Sequence, residues 1–306
     1  MITRFAANGL TWIDLENPTA DETLHISEEF GIPSLVSHEL IDHTVRSKVD
    51  LYNDFLYLVL HFPIIGTNVP VATEHEVDFI VGEKFLVTVR YEKIEALHSF
   101  AKLFENNALA NQTAMTSHGT FLFMQLTKLL YHNCFHQLEG LTKDLKKIES
   151  TIFATKHPSS VVRELSKISH QLLDFKQSVR FHGEVLSSYL SASKRLFGDE
   201  YTYYGEMVGN EYRKVGSMLE SLRDVLAELQ RTNDTLLSTT SNEIMKNFTI
   251  MTFVMLPLTL ITGVFGMNMA PGILFIKSMS DFFFVIGAMT ITGLVLFLFF
   301  KIRRWI

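Results

Sequence analysis

Thr249, Thr252, Thr259 and Gly263 fall at intervals of three, seven and four residues inside an otherwise apolar run. The same helical phase passes back through Met245 to Asn242 and forward to Gly266, so these positions share one face of a helix. Hydroxyl and amide oxygens among lipid-like side chains prefer a protein interior or water to hydrocarbon. The face therefore either packs on another helix or lines an aqueous path for an ion. Three other groups carry polar chemistry. His132 and His136, in YHNCFHQ, stand at i and i+4, a spacing that sets two imidazoles over one metal, while Cys134 between them points elsewhere. With no HExxH glutamate and no third ligand nearby, the pair reads as ordinary helix surface. Glu74, Glu76 and Asp78 alternate in a strand and face one side, where they would either gather cations or, as the pattern favours, form a solvated sheet face. Glu220, Asp224 and Glu228 make an acidic helix row, either a concentrator of divalent cations or an exposed face. No nucleophile elbow, phosphate loop or paired catalytic acid stands out, so an enzyme is not expected.

The elements that hold the threonine face are legible from charge. Phe248 to Met267 and Phe282 to Phe300 contain no charged residue, and at ~1.5 Å per residue each run reaches the ~30 Å of a bilayer's hydrocarbon. Two membrane spans are expected, with an extracytoplasmic loop over 269–281. Lys246 precedes the first span and Lys301, Arg303 and Arg304 follow the second, whereas the connection offers only Lys277. Positive-inside bias then places both termini in the cytosol of a multi-pass protein of the plasma (inner) membrane. Two spans do not enclose a lumen, so a pore would need a ring of chains with this helix innermost.

The rest of the 306 residues is ordinary in composition: 47% hydrophobic, 20% charged, net charge −6, with a mean hydropathy of +0.17 raised by the C-terminal runs. No polycationic field is present, so a nucleic-acid partner is not expected. Cys134 is the lone cysteine, which excludes an internal disulfide and any cysteine-rich zinc module. The N-terminal stretch turns polar before an apolar core of signal-peptide length appears, so secretion of this part is not expected. Residues 1–95 read as mixed α/β, with strands at Phe55–Pro63, Glu76–Val81 and Lys84–Tyr91 and helices opening at Thr19 and running from Pro33 to His43. Residues 96–200 read as long antiparallel helices, Phe121–Thr155 and Ser159–Leu196, broken near His157-Pro158 and again at Gly198-Asp199. From Tyr212 to Phe265 no proline appears before Pro257, and a seam of Leu219, Leu222, Leu226 and Leu229 continues to Leu236. This predicts one helix of ~80 Å, a stalk over 201–247 entering the bilayer as the span 248–268, ahead of the second span 282–300 and a basic tail 301–306.

The string SNEIMKNFTIMTFVMLPLTLITGVFGMNM, Ser241 to Met269, resembles the pore helix of the CorA family of divalent-cation channels. It contains that family's signature, Gly266-Met267-Asn268, at the end of the first of two C-terminal spans, with Pro257-Leu258-Thr259 and Gly263 at the family's offsets. Trp12-Ile13-Asp14-Leu15 with Pro18, Arg46-Ser47-Lys48 and VDFIVGEKFLVTVR (Val77 to Arg90) resemble its cytosolic domain, so the likeness covers nearly the whole chain.

The resemblance implies an α+β membrane protein with a cytosolic α/β/α N-terminal domain, a long helical stalk continuous with the first of two transmembrane helices, and a homopentamer in lipid. It implies Mg2+ as the transported and regulatory ion, with Co2+ or Ni2+ as passengers and no organic cofactor. Gly266, Met267 and Asn268 would form the selectivity filter, Asn268 and the Gly266 carbonyl facing the hydrated ion. Asn242, Met245, Thr249, Thr252, Leu256, Thr259 and Gly263 would line the pore, with Leu256, Met245 and Phe248 as an apolar gate. Two departures stand out. The loop Met269–Leu274 lacks the acidic residue many members carry, and the stalk aspartate of the family's magnesium sensor is replaced by Met207, beside Glu206. Glu206, Glu220, Asp224 and Glu228 are the candidates for a regulatory cation site. A zinc transporter of the related ZntB type and a membrane-anchored signalling or scaffold protein are the alternatives.

Overall fold

A computed structural model describes residues 1–7, 9–65, 73–109, 118–154, 158–266, 279–303 and 305. The chain divides into two compact units, Met1–Gln230 and Arg231–Ile306.

The first unit is built on a mixed sheet. Strands β1 (Ile2–Ala7), β2 (Leu10–Glu16), β3 (Lys48–Leu51), β4 (Phe55–Ile64), β5 (Thr73–Gly82) and β6 (Phe85–Arg90) lie in the order β1-β2-β6-β5-β4-β3. Only the β2–β6 pairing is parallel. Helices α1 (Ala20–Phe30) and α2 (Ser34–Glu39) cover one face, where Ile26, Val36 and Leu40 meet Ile13, Tyr57, Val59, Ile80 and Val87. Helices α3 (Glu95–Leu109), α4 (Gly119–Ala154), α5 (Pro158–Ser178), α6 (His182–Phe197) and the start of α7 (Thr202–Gly266) share the core on the other face, with Trp12, Leu58, Phe79 and Leu86. This is an α/β/α sandwich with a long helix leading out of it toward α8 (Met279–Ile302).

Local signals set the elements. Thr19 caps α1 reciprocally: its hydroxyl accepts from the Glu22 N–H at 3.3 Å and its own N–H donates to Glu22 Oε2 at 3.0 Å. Gly31, at φ +66°, ends that helix in the left-handed conformation glycine adopts without strain. Gly119 opens α4 with its N–H on the Glu83 carbonyl at 2.7 Å. A Cβ there would stand 2.1 Å from the Gly82 carbonyl oxygen, so only glycine lets α4 approach the β5–β6 turn this closely.

Four expectations need correction. Strands β1, β2 and β3 were not among the predicted elements; β1 and β3 are short edge strands with little alternation to mark them. The expected helix Ser159–Leu196 is two helices, α5 and α6, separated at Val179–Phe181. The turn brings His182 wholly into the core, where its Nδ1 lies 2.9 Å from the Tyr131 hydroxyl and its ring stands edge-on to Phe62. The leucine seam is buried from Leu219 to Leu229 but Leu236 is exposed, so the seam stops with the first unit. Finally, Glu76 and Asp78 do not form a solvated face with Glu74. Glu74 is exposed, but Glu76 and Asp78 are buried beneath the α1–α2 layer, because β5 is an inner strand covered on both sides.

A buried polar network spans the parallel junction of the sheet. Trp12 Nε1 donates to Thr88 Oγ1 at 3.1 Å, Thr88 donates to Asp14 Oδ1 at 2.7 Å, and Arg90 meets Asp14 Oδ2 through Nε at 3.1 Å and Nη2 at 3.0 Å. This network locks β2 to β6. Arg90→Ala leaves the Asp14 carboxylate buried without its cation, and a loss of about 3–5 kcal/mol is expected in denaturant unfolding of the full chain in micelles. Burial, and secondarily His61, pushes the His182 pKa down to about 3. An unfolded histidine titrates near ~6.5, so the stability this group contributes is complete above that pH and is lost as pH falls toward 3. Melting temperature is therefore expected to drop between pH 7 and 5, and to drop less steeply in His182→Gln.

Candidate functional site: the exposed face of the long helix

Helix α7 runs unbroken for 65 residues through Pro257. Proline cannot donate to the carbonyl one turn back, and an apolar helix in lipid tolerates this where neighbours or local adjustment compensate. Both α7 and α8 contain segments long and apolar enough to cross a membrane.

Exposure along the C-terminal half of α7 is periodic. The less exposed positions are Ile250, Val254, Pro257, Leu258, Ile261 and Phe265, and α8 has a corresponding series in Val285, Met289, Thr292, Leu296 and Phe300. Phe253 of α7 and Phe300 of α8 meet with ring centroids 6.5 Å apart. At 100° per residue, Thr252, Leu256, Thr259, Gly263 and Gly266 lie about half a turn from the sheltered series. Asn242, Met245, Phe248, Thr252, Leu256, Thr259, Gly263 and Gly266 are exposed in the single chain, and Thr249 is half-buried. From Thr252 to Gly266 the polar stripe thus lies away from the surface on which α7 meets α8, whereas Thr249 belongs with the less exposed positions.

The threonines on this face are chemically one-sided. Thr249, Thr252 and Thr259 each donate to the carbonyl four residues back, Met245, Phe248 and Met255, at 2.8–2.9 Å. With the proton committed to the helix, what each hydroxyl presents outward is an oxygen lone pair. Leu256 (64% exposed), Met245 (65%) and Phe248 (63%) interrupt the oxygens with apolar collars. Among the described residues a Cβ at Gly263 or Gly266 would meet nothing within 4 Å, so no contact there demands glycine at either. Met267 and Asn268, with residues 269–278 and Arg304, lie outside the described residues, as does the predicted break at His157.

The remaining candidates are scattered. Glu206, Glu220, Asp224 and Glu228 are all exposed along α7. Glu220 is held by Lys176 at 2.9 Å and Arg223 at 3.2 Å, and the Lys176 hydrogen bond keeps its carboxyl below the ordinary range. Glu211, near Met207, pairs with Lys214 at 2.9 Å. His132 and His136 are exposed on α4, and His136 contacts Glu139 at 3.1 Å. Cys134 faces the core, its thiol pushed up to about 12 by burial. Among the described residues no three His, Cys, Asp or Glu side chains gather to hold a metal. The exposed face of α7 is therefore the one extended polar feature in the apolar part of the described chain. The buried clusters around His182 and around Glu76–Asp78 escaped the sequence reading. The uninterrupted apolar run of β4 was the available signal, since a strand buried on both faces has buried neighbours.

Comparison with known proteins places this geometry. The model of a family described as CorA-like Mg2+ transporter protein matches residues 7–304. The cobalt/magnesium transport protein CorA of Thermotoga maritima is 23% identical over 97% of this chain and 83% of its own length. The complete structure of the CorA magnesium transporter from Methanocaldococcus jannaschii has a TM-score of 0.84 at 20% identity, covering 99% of this chain and 93% of that one. The ZntB cytoplasmic domain from Vibrio parahaemolyticus shares the fold more distantly, with a TM-score of 0.54 at 13% identity over 77% of this chain and 90% of that domain. With two apolar C-terminal helices and a family match over nearly its full length, the chain belongs to the CorA-like Mg2+ transporter family, whose members are membrane transporters of divalent cations rather than enzymes.

Proposed function

We propose that the chain forms a homopentameric channel for Mg2+, with Co2+ and Ni2+ as passengers, in which five copies of α7 surround the ion path and α8 lies outside. The observation that carries this reading is the disposition of α7: its oxygen-bearing face is turned about half a turn from the series that α8 matches. A face rich in lone pairs suits a hydrated cation, whose water presents protons outward. Mg2+ gives up its water reluctantly, so neutral oxygens that bond to the shell recognise it without stripping it. Gly266, Met267 and Asn268 form the filter at the outer end, five Asn268 amides and the Gly266 carbonyls contacting the hydration shell. Gly263 and Gly266, which no contact among the described residues explains, let neighbouring copies or the ion approach the backbone.

Inward from the filter, Thr259, Thr252 and Thr249 keep the path wet, Leu256, Phe248 and Met245 close it by dewetting, and Asn242 stands at the cytosolic mouth. Residues 1–247 lie in the cytosol, as do both termini, and 248–268 and 282–300 cross the plasma (inner) membrane. Influx follows the membrane potential, which supplies roughly 4.6 kcal/mol per 100 mV for two charges. Cytosolic divalent ions close the gate. The sensor is not the family's stalk aspartate, which Met207 replaces, and the acidic side chains Glu206, Glu220, Asp224 and Glu228 are its candidates. Lipid and the transported cation are the other partners, and no organic cofactor is needed.

The test is flux into liposomes from the purified protein. Mg2+ entry is expected to fall at least about tenfold in Asn268→Ala, the loss of about 1.4 kcal/mol or more of filter interaction. Zinc-selective or proton-dependent flux in wild type would instead assign the ZntB-type activity, and no flux of either ion would leave the anchored scaffold. Leu256→Ala widens the apolar collar nearest the filter, so it is expected to leave residual Mg2+ entry at internal Mg2+ concentrations that silence the wild type.

A further inference from the structure

The sheet face under α1 and α2 holds a cluster that transport does not use. Glu76 (4% exposed) and Asp78 (0%) lie on the same side of β5, and the register sets Glu76 opposite His61 of β4. Both carboxylate oxygens of Glu76 accept from the Thr44 N–H at 2.9 Å, in the connection between α2 and β3, and Oε2 lies 3.2 Å from His43 Nδ1 and 3.7 Å from His61 Nε2. His61 is itself fixed, with Nε2 at 2.8 Å from the Thr44 carbonyl and Nδ1 at 3.0 Å from Ser47 Oγ. Asp78 Oδ2 accepts from the Tyr57 hydroxyl at 3.1 Å, but Asp78 Oδ1, wholly buried, meets no donor among the described residues.

Two neighbouring carboxyls out of water do not both ionise. Donors converge on Glu76 while Asp78 Oδ1 meets none, so the pair's proton belongs on Asp78. Burial, then the Glu76 charge, hold the Asp78 carboxyl well above the usual range. The other titratable groups around the pair are Glu39 at the end of α2, Asp42 and His43 in the connection, Lys48 on β3, Tyr57 and His61 on β4, and Tyr91 after β6. Lys48 is tied to Glu39 at 2.6 Å and Asp50 at 3.0 Å, and burial keeps the protons on Tyr57 and Tyr91.

We propose that Glu76 and Asp78 bind one shared proton that clasps the segment 42–47 to the sheet, and that losing it opens the segment. With the proton present, Glu76 carries a single charge that Thr44 and His43 satisfy. Without it, two adjacent buried charges repel, and water reaches them only if Thr44 lets go. The closed form binds the proton more tightly than the open one, so closure weakens as pH rises from the ordinary aspartate value of ~3.9 to the raised one.

Amide hydrogen exchange of the full chain in micelles between pH 6 and 9, corrected for intrinsic exchange, reads the opening at Thr44. In wild type the opening constant is expected to rise with pH, by up to about tenfold per unit, the slope of one proton. Asp78→Asn, which keeps a donor toward Glu76 but does not titrate, is expected to be flat, whereas His43→Gln retains the slope. A flat wild type, an unchanged slope in Asp78→Asn, or a slope abolished by His43→Gln would overturn the proposal. Should Asp78→Asn fail to fold, tryptic cleavage after the exposed Arg46 in wild type decides: relative to cuts elsewhere in the chain, it must rise with pH.

Discussion

A backbone amide within a bilayer finds no water, and a helix is the means by which a single span satisfies its own N–H and C=O groups. This constraint accounts for most of what is unusual in the C-terminal unit. It requires α7 to continue through Pro257 rather than break there, and it excludes charge from 248–267 and 282–300. It also explains the threonines. In an apolar segment the carbonyl four residues back is always within reach of a hydroxyl, so each of Thr249, Thr252 and Thr259 closes its donor on its own helix. What remains is a surface of acceptors interrupted by Leu256, Phe248 and Met245. Such a surface offers neutral oxygen acceptors rather than formal charge.

The N-terminal unit obeys the opposite rule. Its sheet is covered on both faces, so every polar group on an inner strand is matched or neutralised. The two faces solve this differently. Toward α3–α7, Asp14 and Arg90 form an ion pair extended through Thr88 to Trp12, holding the single parallel junction of the sheet. Toward α1 and α2, Glu76 and Asp78 have one charge between them and recruit backbone and histidine donors from a loop. The first arrangement fixes strands that never need to separate. The second ties down a segment with the highly exposed Val45 at its centre (94%), and its strength depends on a proton.

Legibility in the sequence followed the strength of the physical signal. Uncharged runs, a capped helix start at Thr19 and a predominantly apolar strand are unambiguous, and the corresponding elements α7, α8, α1 and β4 stand where the residues indicate. The threonine stripe was equally legible, because its phase is set by one helix and needs no knowledge of partners. Edge strands β1 and β3 were not, since little of their surface is buried and their residues alternate weakly. The turn at Val179–Phe181 was also invisible. No proline marks it, Gly183 falls just inside α6, and the contact of His182 with Tyr131 that accompanies the turn joins residues distant in sequence. Alternation in Glu74, Glu76 and Asp78 correctly gave a shared side but misjudged what lay on it. Which side of a central strand is wet depends on helices distant in sequence.

Cys134 has a quieter consequence. It is the chain's one sulfur nucleophile, it sits at 1% exposure in the helical core of the first unit, and burial keeps it a neutral thiol at any physiological pH. Oxidants and alkylating agents therefore find no thiolate to attack, and neighbouring copies in an assembly cannot be stapled to one another through sulfur.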